Sequence, residues 1–245
     1  STSIKYSALT TLEMTSVVDL KNNKILYKQN IGFEGYTCVL SPDGNTLYIS
    51  LWGGKKVALF DTKLRKITKH IDVSFNPNEL ILTRDGKTLY VANSQDNSVS
   101  VIDVNAQKVT EVLDAAIYPN SPIGSTTNGL ALSSDEKTLY IANADNNCLA
   151  VFNVGLKGKS VSKGFIPVGW YPTNVRVLKN KIFVSNGKGF SSFANPKGPN
   201  PIAKKQTVTY QKSDNTAAAP SQYIGGLMKG TMSVFKEPSI QELAI

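Results

Sequence analysis

One histidine, two cysteines and eighteen carboxylates are the side chains with which this chain could hold a metal or run acid–base chemistry. His70 stands alone in "ITKHID" (67–72), so a zinc site, which needs several His or Cys, has no ligand set, and axial haem ligation has no second partner. Cys38 and Cys148 show no C-x-x-C spacing and read as two buried thiols rather than a disulfide. No G-x-S-x-G elbow occurs, and a Ser–His–Asp set would have to recruit His70 from an outer strand. "GKGFSS" (187–192) is glycine-rich but lacks the Walker spacing that cradles phosphate. These residue types predict no metal, no cofactor and no catalytic residue within the chain.

The carboxylates are informative in another way, because they recur. Asp43, Asp85 and Asp135 fall in "SPDGN", "TRDGK" and "SSDEK", and Asp61 and Asp103 end matching phrases further on. An Asp in such a turn accepts its own turn's N–H groups, and a position filled alike in every copy of a repeat solves one steric problem repeatedly. The structural role is expected for all five.

That recurrence extends over most of the chain. "TLYISL" (46–51), "TLYVAN" (88–93), "TLYIAN" (138–143) and "KIFVSN" (181–186) place Tyr48, Tyr90, Tyr140 and Phe183 at intervals of 42, 50 and 43 residues. Each is followed by a second phrase: "VALFD" (57–61), "VSVID" (99–103), "LAVFN" (149–153) and "MSVFK" (232–236), with "SVVDL" (16–20) as an orphan copy. Short runs rich in Val, Ile and Tyr, tight turns between them and no helical period predict an all-β chain built as a β-propeller. Each blade would be a four-stranded antiparallel sheet. Its innermost strand is expected to be apolar on both faces, between neighbouring blades, and its outermost strand mixed.

Binding should lie where equivalent positions differ. Tyr36, Asn78, Asn128 and Thr173 precede the four inner strands and are expected to ring one mouth of the channel. Glu79 and Asn174 follow one step on, beside Thr37 and Gly129. Arg176 stands where the other inner strands carry Val39, Ile81 and Ala131, so it should pair with Glu79 or another carboxylate, or bind an anion. Trp170 and Tyr171, in "GWYP" (169–172), put aromatics beside that mouth. These nine are the candidate ligand- or partner-binding residues.

The formal charge is +9, yet lysines are scattered through turns ("KNNK", "GGKK", "DGK") as in a β-protein kept soluble at its edges, which argues against nucleic acid. No apolar run approaches membrane-span length.

Together these phrases resemble the YVTN-repeat β-propellers of surface-layer proteins, relatives of the lactonase and haem d1 propellers, from Val17 to Lys236. "GWYPTNVRV" (169–177), "SNGKGFSSFANPKGPNP" (185–201) and "YIGGLMKGTMSVF" (223–235) are similar to a subfamily in which a seven-bladed propeller precedes an alkaline-phosphatase-like phosphoesterase domain. The resemblance implies a periplasmic, secreted or cell-surface location and a phosphoesterase-like partner domain after the propeller. Residues 1–236 are then a partial seven-bladed ring: 1–30 the end of a blade, opening near its third strand, then 31–73, 74–117 and 118–167 as full blades, and 168–236 a last blade carrying an insertion at about 187–226. Residues 237–245 would begin a linker, about three blades would be missing upstream, and a self-completing dimer is a further option. The function expected on this basis is a non-catalytic platform for ligand or domain docking. A lactonase-like enzyme with a central-channel site and an adhesive surface-layer module are the alternatives.

Overall fold

A computed structural model describes residues 4–9, 13–191, 228–239 and 241–243. Eighteen strands among them form five antiparallel sheets, each built from consecutive strands. The first holds β1 (Ile4–Leu9), β2 (Met14–Asp19) and β3 (Lys24–Asn30). Three four-stranded sheets follow. They are β4–β7 (Gly35–Leu40, Thr46–Leu51, Lys56–Asp61, Lys66–Asp72), β8–β11 (Pro77–Leu82, Thr88–Asn93, Ser98–Asp103, Lys108–Asp114) and β12–β15 (Thr127–Leu132, Thr138–Asn143, Cys148–Asn153, Val161–Pro167). The last holds β16 (Trp170–Leu178), β17 (Lys181–Gly189) and β18 (Thr231–Lys236). No α-helix occurs among the described residues.

The recurring phrases are the second and third strands of each sheet, in one register: Thr46 opposes Asp61, Thr88 opposes Asp103, Thr138 opposes Asn153 and Lys181 opposes Lys236. Ile4 opposes Asp19 in the same way, so β1 is a second strand, and the expectation that the chain opens near a third strand is corrected. "IKYSAL" lacks the Asp-containing turn that marks the other copies.

Those turns form as the residues dictate. Asp43 accepts the Asn45 N–H at 3.0 Å and the Ser41 hydroxyl at 2.5 Å, and Asp85 and Asp135 repeat the arrangement on Lys87 and Lys137. These bonds hold the Asp43 carboxyl down at about 2.

Apolar side chains pack between sheets rather than within them. Tyr48, Val57 and Leu59 of the second sheet meet Leu80, Leu89, Val91 and Ile102 of the third. Tyr90, Val99 and Val101 meet Leu130, Leu139 and Ile141 of the fourth. Each fully buried Leu or Ile there contributes roughly 1.5–3 kcal/mol. One expectation reverses. The second strands β5, β9 and β13 are buried from their second residue onward, whereas the inner strands β4, β8 and β12 keep half-buried positions. The innermost strand has only one paired edge, and its other edge borders the channel. Cys148 on β14 is accordingly buried and Cys38 on β4 only half-buried. His70 on outer strand β7 is exposed.

The longer connection at 118–127 is pinned by one side chain: Asn97 Oδ1 accepts the Gly124 and Ser125 N–H groups at 2.9 and 2.7 Å, and Nδ2 donates to Pro122 O at 2.8 Å. Strand β17 runs on to Gly189, and most of the insertion expected at 187–226 lies outside the described residues. After β18 the chain folds back. Tyr140 donates its hydroxyl to Glu237 at 2.8 Å, Ser239 and Glu242 cap one another reciprocally, and Leu243 packs onto the cluster between the last two sheets.

Candidate functional site

The inner strands bring Asn78, Glu79, Asn128 and Arg176 to one stretch of the channel wall. Asn78, the second residue of β8, is 4% exposed and donates from Nδ2 to Asn128 Oδ1 of β12 at 3.2 Å. Its own Oδ1 is buried without a hydrogen-bond partner. Beside it, Glu79 Oε1 meets Arg176 Nη2 at 3.1 Å. Arg176 also donates from Nη1 to Leu130 O at 3.3 Å and Val175 O at 2.8 Å, which fixes the guanidinium over the β12 main chain.

Glu79 and Arg176 open onto a cavity of about 330 Å³ whose other lining side chains are aliphatic, Val39, Ile81, Ala131 and Val177 among them. A single ion pair in an apolar wall is felt strongly by any polar group entering, because little else there competes for it. Arg176 is not the buried residue expected from an inner strand. Its side chain is 58% exposed, and Glu79 is 22% exposed, because the strand edge faces open channel.

Tyr36, at the start of β4, is half-exposed. Burial, with the Glu79 charge second, raises its phenol above the ordinary value, so it stays protonated and able to donate. Tyr171 is raised mainly by burial, with Asp145 and Tyr36 as lesser neighbours, so the two phenols share one electrostatic environment. Tyr171 has φ +58, a left-handed conformation that costs an aromatic residue roughly 1–2 kcal/mol. The Asn147 side chain holds it there, accepting the Tyr171 N–H at 2.8 Å, while Lys188 Nζ lies 4.1 Å from the ring centroid.

The other candidate residues do different work. Thr173 donates to Ser185 O at 3.1 Å within its own sheet. Asn174 presses its backbone on Gly129, where a Cβ would come within 2.8 Å of Asn174 Cα. Trp170 sits at the rim where β16 begins, 38% exposed.

Sequence reasoning missed Asn147 and Lys188, and it also missed a recurring amide. Asn93 and Asn143 close β9 and β13 and Asn186 holds the equivalent position within β17; all three are almost wholly buried, and each leaves Oδ1 without a partner. Asn93 Nδ2 donates to Ser98 and Ser100 hydroxyls, both at 2.9 Å, and Asn186 Nδ2 donates to Thr231 and Ser233 at 3.3 and 2.9 Å. The signal was the Asn ending three of the four copies of the tyrosine phrase. Among the described residues no group of three or more His, Cys, Asp or Glu could hold a metal ion.

The profile of a family described as "Lactonase, 7-bladed beta-propeller" matches residues 37–186. Among solved structures, Kuenenia stuttgartiensis hydrazine synthase is 26% identical with a TM-score of 0.54, over 62% of this chain and 42% of that one. A Bacteroides uniformis protein described as a "putative 6-phosphogluconolactonase" is 16% identical with a TM-score of 0.64, over 75% of this chain and 60% of that one, a likeness of fold alone. No curated protein matches significantly. The chain thus spans less than two thirds of either solved structure. The family match corrects the expectation of a non-catalytic docking platform with no enzymatic role: an enzyme family, the alternative weighed from the sequence, covers the blades that carry Glu79. The aligned repeat had singled out Glu79 and Arg176, but without a His or a local catalytic motif beside them the enzyme stood second.

Proposed function

Because this chain belongs to the seven-bladed β-propeller lactonase family, we propose that it contributes a lactone-hydrolysing site in the channel, centred on Glu79 and Arg176. The observation that carries the reading is this ion pair in an otherwise aliphatic cavity. Water adds to the ring carbonyl while the Glu79 carboxylate takes its proton. Arg176 faces the oxyanion that develops on the former carbonyl oxygen. Collapse breaks the bond to the ring oxygen, which receives the proton from Glu79 and leaves as the hydroxyl of the product hydroxy acid. The protonated Tyr36 phenol would donate a hydrogen bond to a ring hydroxyl, which fits a sugar lactone.

The five sheets would supply five of the ring's seven blades, which leaves two rather than the three expected from the sequence. The phrases that resemble surface-layer propellers support placing the protein in that branch and outside the cytoplasm. The test is proton release from γ- and δ-lactones, glucono-δ-lactone first, with wild type, Glu79→Gln and Arg176→Met. Removing the base should lower the rate above background by at least about 100-fold. A wild-type rate equal to spontaneous hydrolysis for every lactone would overturn the reading.

A further inference from the structure

The turn between the third and fourth strands is solved in three blades by an aspartate. Asp19 Oδ1 accepts the Lys21 N–H at 2.9 Å, Asp61 Oδ1 accepts Lys63 and Leu64 at 2.9 and 2.7 Å, and Asp103 Oδ1 accepts Ala106 at 2.9 Å. In the fourth sheet the same position is Asn153, whose Oδ1 accepts the Gly155 N–H at 2.9 Å. The turn keeps its hydrogen bond and loses its charge.

The turns "DLKNNK" (19–24) and "DTKLRK" (61–66) are basic too, but each keeps its aspartate, whereas the fourth-sheet turn has basic residues without one. The connection from β14 to β15, "NVGLKGKSV" (153–161), is longer than "DTKLRK" (61–66) or "DVNAQK" (103–108) and carries Lys157 and Lys159, with Lys163 following on β15. Lys159, Lys163 and Lys137, from the β12–β13 hairpin, line a cavity of about 310 Å³ with Asn153, Leu156 and Val161, and no carboxylate lines it. Gly155 admits the Lys137 stem, since a Cβ there would meet its Cγ at 3.3 Å. Nearby acids are engaged elsewhere. Asp103 pairs with Lys157, Glu111 accepts the Ser160 N–H and hydroxyl at 2.8 Å each, and Asp135 is bonded to Ser133 and to the Lys137 N–H. Leu156 is 68% exposed and Val161 54%, an apolar flank beside the lysine side chains.

We propose that this rim pocket on the fourth blade, remote from the channel pair, binds the phosphoryl group of a small organic phosphate. Lys137, Lys159 and Lys163 would bind the dianion while Leu156 and Val161 cover the ester's carbon skeleton. The volume suits a small molecule rather than a polymer. The asparagine is the specificity device, because an aspartate would cap this turn equally well and repel the ligand.

Titration calorimetry of the full chain at fixed ionic strength tests this, with glucose 6-phosphate, inorganic phosphate, neutral glucose and phosphatidic-acid vesicles as probes. Glucose 6-phosphate should bind most tightly and glucose not at all. Asn153→Asp should weaken the ester at least ten-fold with an unchanged melting temperature, and Lys159→Ala with Lys163→Ala should do the same without touching the turn. Equal affinity in wild type and both variants, equal competition by sulfate at the same ionic strength, or binding of vesicles alone would overturn the proposal. Lactone hydrolysis, measured in parallel, should be unaffected by either variant.

Discussion

Arg176 and Glu79 belong to sheets two positions apart in the ring, yet Nη2 and Oε1 lie 3.1 Å apart. The guanidinium reaches Glu79 by crossing the intervening inner strand, where it takes Leu130 O at 3.3 Å. Three consecutive blades are therefore tied at one height in the channel.

That tie should matter little to folding. With side-chain exposures of 58% and 22% the pair is screened, and exposed ion pairs contribute about 0–1 kcal/mol. A double-mutant cycle of Arg176→Met and Glu79→Gln in urea should give a coupling energy within about 1 kcal/mol. A coupling of several kcal/mol would make the pair a structural clasp instead.

Gly129 should be intolerant where Gly53 is tolerant. A Cβ at 129 would sit 2.8 Å from Asn174 Cα and 3.2 Å from Val175 N, both backbone atoms that cannot swing aside. Gly129→Ala should cost roughly 1–3 kcal/mol through overpacking and loosen β12 from β16. Gly53→Ala, with nothing within 4 Å, should change stability by no more than about 0.5 kcal/mol. Thermal or urea melts compare the two directly.

Alkaline stability should depend on Tyr90. Burial, with Glu111 and Glu136 adding, pushes its phenol from 10.0 up to about 12. Its folded value lies above its unfolded one, so the stability linked to it is present in full below pH 10 and is lost as pH rises from about 10 to 12. Tyr90→Phe should flatten that part of the stability–pH curve and leave neutral pH nearly unchanged. An unaltered slope between pH 10 and 12 would contradict the assignment.

The repeated strands were legible because each tyrosine phrase carries its own instructions: an Asp turn before it, β-branched residues within it, and a partner phrase at fixed distance. Arg176 and Glu79 could be matched as odd entries in an aligned repeat. What alignment hid was exposure. It treated an inner strand as buried on both faces, although one edge has no neighbouring strand, and this left Cys38 and Arg176 more open than expected. The lactonase-like alternative was ranked second for a related reason. Glu79 and Arg176, though matched as a pair, are 97 residues apart, and no local motif announces a catalytic set. Asn147 and Lys188 become neighbours of Tyr171 only when the fourth and fifth sheets are side by side.

Glu136 occupies the turn position that Gly44 and Gly86 fill in the preceding sheets, and its φ of +59 matches theirs of +72 and +70. A relaxed glycine there would leave the hairpin tip unattached. Glutamate accepts the strain and reaches across to Arg84 of the neighbouring blade, receiving its main-chain N–H at 3.0 Å and its Nε–H at 3.1 Å, while the guanidinium also grips Ser134 O. The two tips are latched, so a gap opening between the third and fourth sheets at that end must first break these bonds, a weak barrier because Arg84 is largely exposed.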